Sequence, residues 1–315
     1  MGNRSGCGRG VLRVGILAGL ADAASLCAGG GKLVRHPCTD FAAGVDWNAS
    51  FVPLPDNAQD QEAVARAAGI AVEGDVDRLT LVAGDASGDP VAGAAAEFQY
   101  VTVTLADEVP VCDPSGCVDA VGDVRYRVTP ASRLEREACN DAACSWLDVG
   151  AWDGVVYVAG DVRRLTGPGR IPSASVDPDD AAPAIAAFTR MTLASEEDVR
   201  ITGDLTYEDP PCSTEPERDG AGSVTPAVCE NQDAVNLFGV YSAEGDVLIG
   251  NAHASSSLNA PRDVTIHGVL MSGQGQVAVE NYNWGSPRGD VHLLGGIIGE
   301  YYGAFGTFYS ATGAP

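Results

Sequence analysis

Gly245-Asp246-Val247-Leu248-Ile249 and Asp263-Val264-Thr265-Ile266 state one phrase twice: an acidic residue, then Val, then an aliphatic residue two further on. Variants stand at Asp75-Val76 with Leu79, Asp161-Val162 with Leu165, Asp198-Val199-Arg200-Ile201 and Asp290-Val291-His292-Leu293. Apolar residues at every second position mark a strand that buries one face. Successive leading Asp residues lie 86, 37, 48, 17 and 27 residues apart, a spacing that fits coils of roughly 20 to 25 residues with loops spliced between them. One such strand cannot bury its apolar face alone, whereas stacked copies build a continuous column of Val, Ile and Leu. The expected fold is therefore mainly β, a parallel β-solenoid (β-helix) with Gly at its corners. A β-sandwich rich in Gly-Asp turns is the competing expectation.

Working outward from the phrase divides the chain into four. Residues 1–52 read as an irregular or degenerate export segment, with Arg4, Arg9 and Arg13 ahead of a short apolar run over 14–21. Residues 53–93 read as a first coil with one short capping helix, started by Asp56 or Asn57 and stopped at Gly69. In 94–149 the alternation lengthens, over 98–105, 121–128, 133–138 and 144–149, which predicts an inserted antiparallel β-meander. Residues 150–315 return to the solenoid pattern, interrupted by polar or Pro-rich loops at 167–184, 208–232, 250–261 and 280–288.

Composition narrows the classes of partner. The chain has 43 acidic and 19 basic residues in 315, a formal charge of -24, and Lys32 is its single lysine. Such a surface repels phosphate and argues against general nucleic-acid binding. Nine cysteines are many for a cytoplasmic β protein. Cys112 and Cys117 flank Asp-Pro-Ser-Gly, Cys139 and Cys144 flank Asn-Asp-Ala-Ala, and Cys212 and Cys229 bracket a loop. These read as local disulfides, with Cys27 and Cys38 a candidate fourth pair and Cys7 left over. None of the three close pairs has the C-x-x-C spacing of a zinc site. Disulfides imply an oxidising compartment, hence an extracellular or cell-surface location. No stretch is long and apolar enough for a membrane span.

No constellation of catalytic residues emerges, and no catalytic, cofactor-binding or metal-ligating residue is assigned. Asp177, Asp179 and Asp180, and Glu196, Glu197 and Asp198, read as solvated turns rather than an acid and base tuned apart. Asp75, Asp161, Asp246 and Asp290 lack the dense Gly spacing of calcium-binding solenoids, so a corner role is expected. His267 and His292 fall at different offsets from their leading Asp and are expected on opposite faces. Aromatic residues gather late, and Tyr282, Trp284, Tyr301 and Tyr302 form a candidate binding surface for sugar rings or bases. The competing expectation is that the rings pack the end of the column.

The runs Val199-Arg-Ile-Thr-Gly-Asp-Leu-Thr-Tyr-Glu-Asp-Pro-Pro-Cys212, Asn236-Leu-Phe-Gly-Val-Tyr-Ser, Thr265-Ile-His-Gly-Val-Leu-Met and Leu294-Gly-Gly-Ile-Ile-Gly-Glu-Tyr-Tyr-Gly-Ala-Phe-Gly carry a resemblance. Residues 187–309 resemble an uncharacterised domain family of bacterial cell-surface proteins, related to the β-solenoid head of a pilus-associated minor pilin of DNA uptake. The resemblance implies a structural or binding module of a type IV pilus-like or envelope assembly, with pilus or envelope proteins as partners. It leaves two alternatives, a DNA-binding pilus tip and a polysaccharide-active β-helix enzyme, so glycan or DNA joins the list of expected partners. It supplies no catalytic residues.

Overall fold

The computed structural model describes residues 58–91, 93–140, 143–218, 223–252, 256–284 and 288–306. Val76, Val162, Val199 and Val247, the second letters of the phrase, are all fully buried. Burying a side chain of this kind contributes about 1.5–3 kcal/mol, and branching at Cβ favours the extended backbone that carries it.

Strands are numbered in chain order and form two parallel ladders. One joins β1 (Ile70–Val72), β7 (Val155–Val158), β9 (Arg190–Ser195), β13 (Leu237–Ser242) and β15 (Val264–Val279). The other joins β2 (Arg78–Gly84), β8 (Val162–Thr166), β10 (Val199–Ile201), β14 (Val247–Ile249) and again β15. At one end β3 (Phe98–Asp113) runs antiparallel to β2 and β1, with Val103 opposite Leu79 and Val111 opposite Val72. At the other, β15 serves both ladders, Met271 opposite Tyr241 and Val277 opposite Val247.

This closure corrects the expected fold. The sheet forms a 10-strand mixed barrel, not a parallel β-solenoid. The reason lies in β3 and β15, each 16 residues long and so able to cross from one ladder to the other. Closing the ring removes two edges that open ladders would expose. The antiparallel region is likewise not inserted between coils. β3 is a wall of the barrel, and β4 (Gly116–Val128), β5 (Arg133–Cys139) and β6 (Cys144–Ala151) extend from it in sequence order. β16 (Val291–Tyr301) adds to the far side of β15.

The barrel interior is filled by Leu79, Leu81, Val101, Val103, Val158, Leu193, Ile201 and Phe238 among others. Two buried polar groups lock loops onto it. Gln99 accepts from the Ala186 N–H at 2.8 Å and donates to the Ala184 carbonyl at 2.9 Å. Arg170 pairs with Asp204 at 2.9 Å and donates to the carbonyls of Val176, Arg262 and Asp263, tying the 167–184 loop to the start of β15. The helix α1 (Gln59–Ala68) buries Ala65 and Ala68, and Gly69 ends it by donating to the Ala65 carbonyl. Asp56 and Asn57, its expected caps, lie outside the described residues.

The chain divides into two compact units. The barrel and its extensions belong to the larger. In the smaller, formed by Met1–Pro53 and Glu217–Thr225, the described part is the antiparallel pair β11 (Glu217–Arg218) and β12 (Val224–Thr225).

Candidate functional site

The acidic residues of the phrase turn out to bond to one another's backbone. A carboxylate oxygen of Asp75 accepts the N–H of Asp161, Asp161 accepts that of Asp198, Asp198 that of Asp246, and Asp246 that of Gln276, at 2.7–3.1 Å. A second stack links Asp263 to the N–H of Asp290 at 2.9 Å. Beside the first stack, the buried hydroxyls of Ser195, Ser242 and Ser272 donate to the carbonyls of Gly160, Glu197 and Gly245. Burial raises the pKa of Asp161, and neighbouring acids add to the effect. Burial also leads the upward shift at Glu197, followed by Asp161 and Glu244. The stacked Asp carboxylates are committed to corners, where they satisfy backbone donors that the turns leave over.

Three of the expected disulfides are present, Cys112–Cys117, Cys139–Cys144 and Cys212–Cys229. Cys27 and Cys38 lie outside the described residues. Glu137, Cys139 and Cys144 come within metal-binding distance of one another, but both sulfurs are in the disulfide and offer no thiolate. The histidines do not meet. His267 Nδ1 accepts the Tyr207 N–H at 2.9 Å, and burial pulls its pKa down to about 4, while His292 faces Glu215. No helix among the described residues is long and apolar enough to cross a membrane.

The aromatic residues singled out in the sequence reach one end of β15. Tyr301 stands opposite Gln276, the Val279 N–H donates to the Ala304 carbonyl, and Tyr282 and Trp284 occupy the turn that follows β15. All four candidate rings, Tyr282, Trp284, Tyr301 and Tyr302, are exposed, Tyr302 by 92%. They do not pack the barrel.

The phrase at Asp290-Val291-His292-Leu293 announced the strand beside them, but not that it lies at an edge of the sheet. β16 approaches β15 closely at Gly295, whose φ is +154 and where a Cβ would fall 1.8 Å from the Gly268 carbonyl oxygen, and the pairing shifts register between Ser272 and Gln276. Val291, Leu293 and Leu294 pack partly against the core. Further on, Ile297 and Ile298 are exposed by 45% and 42%. Successive residues point to opposite faces, so this half of β16 is covered on neither. Its outer edge pairs with no strand among the described residues. Over 11 residues it holds no Lys and no Pro, and Glu300 is its one carboxylate.

Many of the described arginines are held in ion pairs. On the β4–β6 surface Arg125, Arg127, Arg133 and Arg136 are bonded to Glu137, Glu135, Asp148 and Asp113. Arg163, Arg164 and Arg200 pair with Asp75, Asp77 and Glu280. No family model, curated protein or solved structure matches the chain.

Proposed function

We propose that the chain is a structural and binding module of a secreted or cell-surface assembly, and that it joins a second copy of itself by strand addition at β16. One observation carries this reading: a long, apolar, nearly charge-free edge strand on a chain of formal charge -24. Natural sheets blunt such edges with Lys, Pro, charges or bulges, because unpaired N–H and C=O groups template another strand. Added strands gain affinity from main-chain bonds and specificity from alternate side chains, here Ile297, Ile298 and Tyr301. Three disulfides fit an oxidising location. The resemblance to bacterial surface domains makes a pilus-like or envelope assembly the setting.

The alternatives have less in their favour. A DNA-binding tip needs free cations, and the arginines named above are held by carboxylates. A polysaccharide-active enzyme needs two carboxylates free to act as acid and base, and the acids of the stacks are engaged by backbone.

Sedimentation velocity tests the proposal. The expected result is a concentration-dependent dimer, strengthened between 0.01 M and 0.15 M salt as the Debye length falls from about 30 to 8 Å. Ile298→Lys abolishes it without changing the fold. A monomer at every concentration and salt overturns the reading.

A further inference from the structure

How two copies can meet at β16 is decided by which of its edges is free. β15 occupies the other edge along its length, from Val264 opposite Val291 to Gln276 opposite Tyr301. Each copy therefore has only the same edge to offer, and identical surfaces join about a two-fold axis. Two strands joined edge to edge in one sheet by that axis run antiparallel, whereas a parallel join would need the edge that β15 fills. The free edge is also regular. Where the ladder shifts, β15 takes up the irregularity: it advances four residues, Ser272 to Gln276, while β16 advances two, Gly299 to Tyr301.

Opposite residues of an antiparallel pair share a face, so the axis sets odd numbers against odd, even against even, and one residue against itself. Val291–Tyr301 has 11 residues, and pairing all of them puts Gly296 on the axis. Val291 then meets Tyr301, His292 meets Glu300 and Leu294 meets Ile298, and each pair occurs twice. The strand's one carboxylate faces its one imidazole, and a β-branched residue faces an aromatic one, both of which are favourable cross-strand pairs. Ile297 and Ile298, exposed in one copy, come beside Gly295 and Leu294 of the second copy, where Leu294 packs against the core. Neighbouring centres lose this match. An axis through Gly295 sets Glu300 against Asp290, two like charges, and one through Ile297 sets it against Leu294.

We propose that β16 joins its copy in a single register, antiparallel about Gly296, with His292 of each copy beside Glu300 of the other. This rests on strand addition at β16 and gives it an orientation, a register and a polar pair that selects them. His292 is held from one side already, its Nδ1 lying 2.7 Å from Glu215, and Glu300 is exposed.

Cysteine cross-linking reads the register. A Cβ at Gly296 would meet no atom within 4 Å, so Gly296→Cys fits the folded chain. Directly opposite Cα atoms of an antiparallel pair lie about 4.5–5.5 Å apart, inside the roughly 4.4–6.8 Å span of a disulfide. The full chain carrying Leu294→Cys, Gly296→Cys or Ile298→Cys is oxidised at about 0.15 M salt, and mass spectrometry of the linked peptides separates new bonds from those of the native cysteines. Gly296→Cys should link to itself about tenfold faster than either of the others, and Leu294→Cys mixed with Ile298→Cys should give the crossed link in preference to both self-links. Sedimentation checks the polar pair: His292→Lys should tighten the dimer about threefold, although Lys on an edge ordinarily blocks pairing, while Glu300→Lys should weaken it about tenfold. A dimer that Ile298→Lys removes, but that links fastest at 294 or 298, overturns the register and leaves strand addition standing. Weakening by His292→Lys overturns the pair, and a chain that stays monomeric throughout overturns register and strand addition together.

Discussion

Among the described residues the sheet has two edge strands, β6 and β16, and they are finished differently. β6 is stapled to β5 by Cys139–Cys144, and a register shift between Leu134 and Glu135 interrupts their pairing. Asp148 holds Arg133 at 2.7 Å. On the adjoining face Arg127 lies 4.0 Å from the Phe98 ring centre and 4.5 Å from that of Trp146, and bonds Glu135 at 2.6 Å. β16 has no disulfide and two exposed isoleucines on opposite faces; like β6 it carries one carboxylate, and its pairing with β15 also shifts register, between Ser272 and Gln276. Charges and bulges are devices that keep an edge strand from pairing further. The two edges differ in the staple and in the exposed isoleucines, and the strand-addition proposal rests on that difference.

The contrast can be broken from its protected side. Asp113 accepts from Arg136 at 2.7 Å and Tyr126 at 3.3 Å, with its own side chain fully buried. Burial, reinforced by Asp113, raises the Tyr126 pKa. Asp113→Ala leaves a cation and a hydroxyl uncompensated and should cost about 3 kcal/mol or more in urea unfolding, loosening β4 and β5 before the barrel.

Acid separates edge from barrel. The folded pKa of His267, about 4, lies below its unfolded value of 6.5, so the neutral form is favoured by folding. Its contribution, about 3 kcal/mol, is full above pH 6.5 and is lost as pH falls toward 4. His267→Gln should flatten that part of the stability curve, measured by denaturant midpoints across the window. Removing the staple should matter less: Cys139→Ser with Cys144→Ser releases a short loop worth about 2 kcal/mol in the chain-entropy model, read as a lower melting temperature. The smallest effect is expected at the bare edge. Ile298→Lys should change monomer stability by less than about 0.5 kcal/mol, while removing the dimer.

How much of this was legible in the sequence depended on range. Val162, Val199 and Val247 announced their strands because burial on one face leaves a local pattern. Cysteine pairs that close a short loop are equally local, and three were readable. Closure was not, because it rests on β3 and β15 each pairing with two strands far apart in sequence. Counting Asp residues also merged two stacks: Gln276-Val277 continues the first without an Asp, whereas Asp263 and Asp290 form the second. The aromatic surface was visible as composition, but the exposure of Ile297 and Ile298 follows from β16 being last in the sheet.

Hydrogen exchange of the two edges, followed as protein concentration rises, tests the strand-addition reading most directly. Amides of β16 should gain protection in step with dimer formation while those of β6 exchange at a constant rate. Constant exchange in β16, or equal protection of both edges, would contradict it.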